Sequence, residues 1–216
     1  MTSLLPSSRL LLTTLAASAL AAALSACAPL IIGAAAGTAL VATDRRTSGT
    51  QLEDERIELR AASSLRGAFG ERAHINLTSY NRQVLLTGEV PSDQAKQQAE
   101  QIVARVENVR GTFNELGVMG TTSLQQRSND VLITGKIKAS LVDAPDVQVH
   151  AFRVVTERAT VYLMGRVTQR EADRATQIAR NVGGVTRVVR LFETVSEEEL
   201  RRSPAPLAPP ANAPRS

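Results

Sequence analysis

Apolar and polar positions along this chain switch between helical and strand spacing, and the same succession of switches occurs twice. In the first pass, Ile57, Ala61 and Leu65 recur every four residues, which predicts a helix. The run from Ile75 to Tyr80, the turn Asn81-Arg82-Gln83 and the run Val84-Leu85-Leu86 before Gly88-Glu89-Val90 predict a hairpin. Ser92 is placed to cap a second helix, with Ala95, Ala99, Ile102, Val103 and Val106 on its buried face. A valine-rich strand from Val109 to Val118 follows. In the second pass Ile133, Ile137 and Leu141 repeat the first stripe 76 residues further on. The run Val149 to Thr156, the turn Glu157-Arg158-Ala159 and the run Val161-Tyr162-Leu163-Met164 before Gly165-Arg166-Val167 repeat the hairpin. Thr168-Gln169-Arg170-Glu171 has capping-box spacing, and Ala172, Ala175, Ile178, Ala179 and Val182 form the next stripe. The run Val185 to Val195 closes the second unit.

Each unit therefore reads helix, strand, strand, helix, strand. The expected fold is α+β, with two helices covering one face of a small three-stranded mixed sheet in each of two tandem domains. A unit of about 65 residues is near the lower limit for folding alone, and the join between the two is short, so the units are expected to touch. The chain divides into a signal segment (1–26), a membrane-proximal linker (27–53), a first domain (54–118), a short linker (119–126), a second domain (127–195) and a tail (196–216). Glu197 to Arg202 suit a short helix, whereas five prolines between Ser203 and Ser216 predict a disordered or extended tail. Gly88 and Gly165 are expected at strand ends, where they allow a turn or the close approach of a helix.

The first 26 residues change the picture. Arg9 is their only charge, apolar runs cover Leu10 to Leu12 and Leu15 to Leu24, and small residues close the segment. That is the pattern of a secretory signal. Cys27 is the only cysteine, so an intramolecular disulfide is excluded. Leu24-Ser25-Ala26-Cys27 resembles the lipobox of bacterial lipoproteins. The resemblance implies lipidation of the Cys27 sulfur, cleavage before it, and fatty acylation (a palmitate-type chain) of the new amine. Ala28 in place of aspartate implies the outer membrane. The alternative is an ordinary signal peptide cut elsewhere. Residues 28–43 are apolar, but at 16 residues they fall short of the roughly 20 needed for a membrane span.

Charge and composition narrow the chemistry. Residues 54–118 carry eight Lys/Arg and nine Asp/Glu, whereas residues 127–195 carry eleven and seven, so the second domain is the basic one. With four Phe, two Tyr and no Trp, the chain lacks the aromatic platforms on which single-stranded nucleic acid stacks, and no nucleic-acid partner is expected. His74 and His150 are not in metal-ligand spacing, and Asp143-Ala144-Pro145-Asp146 lacks a full calcium ligand set. No nucleophile–base arrangement or carboxylate pair stands out. No catalytic residue, cofactor or metal is expected, and the protein is read as non-enzymatic.

The doubled pattern resembles a pair of BON domains. Its carriers are Ile133-Thr134-Gly135-Lys136-Ile137-Lys138, Val161-Tyr162-Leu163-Met164-Gly165-Arg166-Val167 and Val182-Gly183-Gly184-Val185-Thr186-Arg187-Val188. With the lipobox and Asp44-Arg45-Arg46-Thr47-Ser48-Gly49-Thr50-Gln51, the whole resembles the dual-BON outer-membrane lipoproteins associated with cell division and envelope stress. The first unit departs from the pattern at Val106-Glu107-Asn108-Val109. The resemblance implies phospholipid binding through a BON domain and a role in outer-membrane integrity.

A helical wheel selects the domain. With Ile133, Ile137 and Leu141 inward, Val131 and Leu132 point outward at the helix start, flanked by Lys136 and Lys138. The equivalent residues of the first unit, Glu55 and Arg56, are ordinary solvated side chains. Two roles fit Val131 and Leu132: contact with anionic phospholipid, or docking on the first unit. The functional expectation is a lipid-anchored periplasmic protein that binds outer-membrane anionic phospholipids through its second domain. The alternative is an interaction scaffold for envelope or division proteins without lipid specificity.

Overall fold

The two periodicities resolve into five helices and seven strands within residues 44–202, the part of the chain that the computed structural model describes. Cys27, the signal segment, the apolar stretch before Asp44 and the proline-rich tail lie outside the described residues. The first unit comprises α1 (Ser48–Phe69), β1 (His74–Tyr80), β2 (Gln83–Val90), α2 (Asp93–Ala104), β3 (Gly111–Asn114) and β4 (Gly117–Val118). The second comprises α3 (Leu124–Val142), β5 (Phe152–Glu157), β6 (Thr160–Val167), α4 (Gln169–Arg180) and β7 (Arg187–Thr194), followed by the short α5 (Glu197–Arg202). In each sheet the second strand is central: β2 is antiparallel to β1 and parallel to β3 and β4, and β6 is antiparallel to β5 and parallel to β7. Ser92 caps α2, and Thr168 with Glu171 forms the capping box of α4.

Several boundaries differ from the sequence expectation. The strand expected from Val109 to Val118 is broken at Glu115-Leu116, because Leu116 turns into the core and is 2% exposed. Val149–Ala151 forms a 3₁₀ turn, and the strand begins only at Phe152. Helix α3 starts at Leu124, inside the linker expected at 119–126, since Ser123 and Gln126 complete a capping box there. Gly88 and Gly165 do not end strands. They sit within β2 and β6, where a Cβ would lie 2.1 Å from the His74 carbonyl oxygen and 2.4 Å from that of Ala151. The close approach they permit is that of neighbouring backbone: the start of β1 at Gly88, and the 3₁₀ turn before β5 at Gly165.

Each sheet has two buried faces. Val84 and Leu86 of β2 join Ile57, Ala61 and Leu65 of α1 and Ala99 and Val103 of α2 in one core. Val161 and Leu163 of β6 do the same with Ile133, Ile137 and Leu141 of α3 and Ala172 and Ala175 of α4. The alternate residues Leu85, Tyr162 and Met164 meet Tyr80 in a third cluster, with Phe113, Val155, Val189 and Leu191 packed around it. The sheets therefore stack face to face. This is why the central strands read as continuous apolar runs rather than as alternating ones.

Both hairpins turn through two residues at positive φ with no glycine: Asn81 (51°) and Arg82 (63°), then Arg158 (49°) and Ala159 (57°). A buried carboxylate on the first helix of each unit holds each turn. Asp54 accepts from the backbone N–H groups of Asn81 and Arg82 at 2.8 and 2.7 Å. Asp130, 76 residues later, accepts from those of Arg158 and Ala159 at 2.8 Å each. Accepting two such bonds offsets both the burial of the charge and the left-handed turn.

Polar contacts lock the units at the rim of the stacked sheets. The Arg45 guanidinium forks onto Glu171 at 2.7 and 2.8 Å and donates to the Arg166 carbonyl at 3.0 Å. The adjacent Arg46 donates to Asp54 at 2.8 Å and lies 4.3 Å from the centre of the Tyr80 ring. Two consecutive arginines thus tie the chain before α1 to both domains. Burial pushes the Tyr80 phenol up to about 12, so it stays protonated and donates to the Ala151 carbonyl at 3.4 Å. Glu89, 1% exposed, accepts from the Thr122 hydroxyl and faces His74 Nδ1 at 3.0 Å and Arg158 Nη1 at 3.4 Å. All three apolar clusters and these contacts lie within residues 44–202, so that stretch carries its own core and folds as a unit.

Burial alone would raise the Glu89 and Glu171 carboxyls, but hydrogen bonds from Thr122 and His74, and from Arg45 and Thr168, outweigh it and hold both below the usual carboxylate value of 4.5. Depressed folded-state values stabilise the protein fully above that pH, and the contribution is lost as pH falls through the lower folded values. The urea midpoint should decline on acidification below pH 4.5, and Glu171→Gln should make that decline shallower. Asp130→Ala should lower stability by about 3 kcal/mol, the scale of two charge-assisted bonds. Ala159→Gly should raise it by about 1 kcal/mol by removing the left-handed penalty, both read from urea denaturation.

Candidate functional site

Helix α3 presents an unusual outer face. Its inner stripe is Asp130, Ile133, Ile137 and Leu141. On the opposite side Leu124, Val131, Leu132 and Val142 are 79, 71, 61 and 65% exposed. Ser128, Gly135 and Ala139 fill the space between them and are also exposed. At 100° per residue these seven positions occupy one continuous strip, about 100° wide, along the whole helix. No charge interrupts it. Lys136 lies on one flank, and Arg127 and Lys138 lie on the other. The one acid within α3 is Asp130, which is turned inward to the hairpin. The helix therefore offers solvent an aliphatic strip bordered by cations.

Val131 and Leu132 are exposed, as their phase on the wheel requires, but they sit in the middle of α3 rather than at its start. The sheets, not these two side chains, form the contact between the units. Lys136 and Lys138 are exposed beside them. Sequence reasoning missed Leu124 because it began the helix too late, and Val142 because it followed the outward face only around Val131 and Leu132. The signal was available: Ser123-Leu124-Gln125-Gln126 has capping-box spacing. The corresponding face of α1 exposes Leu52 and Leu59, at 47 and 70%, but interleaves them with Glu55, Arg56 and Arg66.

The other candidates resolve into structural roles. His74 opens β1 and pairs with Glu89, and His150 is exposed. Asp146 forms an ion pair with Arg174 at 3.2 Å. Among the described residues no group of three or more His, Cys, Asp or Glu side chains is placed to hold a metal ion. No described helix is long and apolar enough to cross a membrane.

Two stretches of the chain, residues 53–120 and 129–196, match the BON domain family. Over 172 residues the chain is 35% identical to the outer membrane lipoprotein DolP of Haemophilus influenzae, covering 79% of this chain and 89% of that protein. It is 36% identical over 154 residues to a 21 kDa hemolysin of Actinobacillus pleuropneumoniae, covering 70% of this chain and 79% of that one. A third relative, a protein in the gshII 5' region of Anaplasma centrale, is 30% identical over 121 residues, covering 55% of this chain and 80% of its own length. Two matched domains in tandem and a shared outer-membrane lipoprotein kinship place this chain in the BON domain family, as a two-domain outer-membrane lipoprotein.

Proposed function

We propose that the protein binds anionic phospholipid at the periplasmic face of the outer membrane through α3, with Cys27 as its lipid attachment point, and so supports envelope integrity. The observation that carries this reading is the uncharged aliphatic strip of Leu124, Val131, Leu132 and Val142 between Lys136 on one side and Arg127 and Lys138 on the other. Aliphatic side chains enter the acyl boundary while cations meet headgroup charge. Full burial of a Leu or Val is worth about 1.5–3 kcal/mol, and a Lys or Arg near an anionic surface about 1 kcal/mol. Such contacts are weak and reversible from solution. An acylated cysteine confines the domain near the bilayer and raises their effective concentration.

The test is vesicle co-sedimentation of the 44–216 fragment. Wild type should bind phosphatidylglycerol vesicles, less strongly as salt rises, and bind phosphatidylcholine vesicles weakly. Val131→Glu with Leu132→Glu should weaken binding by more than about 100-fold with the circular dichroism spectrum unchanged. Undiminished binding of that variant would reject α3 as the contact. Capture of an envelope or division protein by a fragment that ignores vesicles would favour the scaffold role instead.

A further inference from the structure

On one flank of α3 a groove of about 330 Å³ opens between the two domains. Arg127, Val131 and Thr134 of α3 form one wall, and His74 and Asn76 of β1 in the first domain form the other. Val131 belongs to both features: it is the rim of the groove and part of the aliphatic strip. An occupant of the groove is therefore led directly onto the apolar face of the helix.

Within this groove Arg127 stands out. Among the described residues its side chain makes no ion pair or hydrogen bond, and its Nε is shielded from solvent without a partner. A buried unpaired donor on a permanent cation is costly unless something completes it. The acids nearby are engaged elsewhere. Both oxygens of Asp130 accept backbone N–H groups, and Glu157 accepts from Asn76 at 3.1 Å. Thr134 donates to Thr156 at 2.7 Å, leaving the Thr156 hydroxyl hydrogen free to be directed elsewhere. The groove thus holds a guanidinium whose Nε–H has no partner, beside the threonine hydroxyls and the already engaged carboxylates of Asp130 and Glu157. A planar guanidinium matches a phosphate by forked donation.

We infer that this interdomain groove is a headgroup subsite, in which Arg127 takes the phosphodiester of a glycerophospholipid whose acyl chains lie over the strip on α3. This rests on the lipid-facing role of α3 and goes further by naming where the headgroup sits. It also assigns the first domain a part in recognition, because His74 and Asn76 supply the facing wall. Free phosphate shares the headgroup's chemistry, but only an amphiphile uses both the groove and the strip.

The experiment uses ¹⁵N-labelled 44–216 fragment titrated with monomeric short-chain phosphatidylglycerol, and in parallel with inorganic phosphate and with glycerol 3-phosphate. The lipid should shift the Arg127 Nε–H and His74 ring signals saturably, together with the amides of Val131 and Leu132. The two phosphates should move them little at the same concentration. Arg127→Met should remove the groove shifts and weaken phosphatidylglycerol vesicle binding about tenfold, with Arg127→Lys recovering part of the loss. Equal saturable shifts with inorganic phosphate would overturn the lipid assignment. Shifts confined to Val131 and Leu132, with Arg127→Met binding vesicles as wild type does, would overturn the groove while leaving the role of α3 standing. Full vesicle binding by the Val131→Glu, Leu132→Glu variant would instead remove the reading on which the groove depends.

Discussion

The packing of two sheets against each other is the constraint from which the rest follows. β2 and β6 bury both of their faces, one under the helices of their own domain and one against the opposite sheet. Two units, each near the lower limit for an independent core, thereby share a third core built on Tyr80, Leu85, Tyr162 and Met164. With both sheets occupied inward, the helices become the outer layers. The outward face of α3 is then left to solvent or to a ligand, since the contact between domains is made elsewhere.

Polar groups set the register of that stack. Glu89 is almost fully buried, yet hydroxyl, imidazole and guanidinium groups surround it, one of them, Arg158, from the opposite domain. Arg45 and Arg46 reach Glu171 in one domain and Asp54 in the other from adjacent positions. Buried charges with complete partners give orientation as well as energy, because a slipped arrangement would leave them unpaired. Arg45 and Arg46, just before α1, are therefore held at a fixed place on the folded body.

That geometry suits surface binding of modest strength. An anchored protein does not require a deep pocket or a large interface, because tethering supplies the local concentration. What α3 turns outward is a strip of four aliphatic side chains with flanking cations and no acid. The groove beside it lies at the seam that only the paired domains create.

Much of this was written in the linear pattern. Ile57, Ala61 and Leu65, and their counterparts 76 residues on, announced the repeated helices, because side chains four apart share a helix face. Ser92 and the Thr168–Glu171 box marked helix starts, since capping is local hydrogen bonding between near neighbours. The outward phase of Val131 and Leu132 followed from the same periodicity. What periodicity could not supply was the partner of each buried group. That Asp54 and Asp130 hold hairpin turns, that Gly88 and Gly165 make room for the carbonyls of His74 and Ala151, and that Arg127 and His74 line one groove all depend on residues that only the fold brings together. Sequence spacing determines which face of an element a residue occupies. Only the folding of one element onto another decides what that face meets.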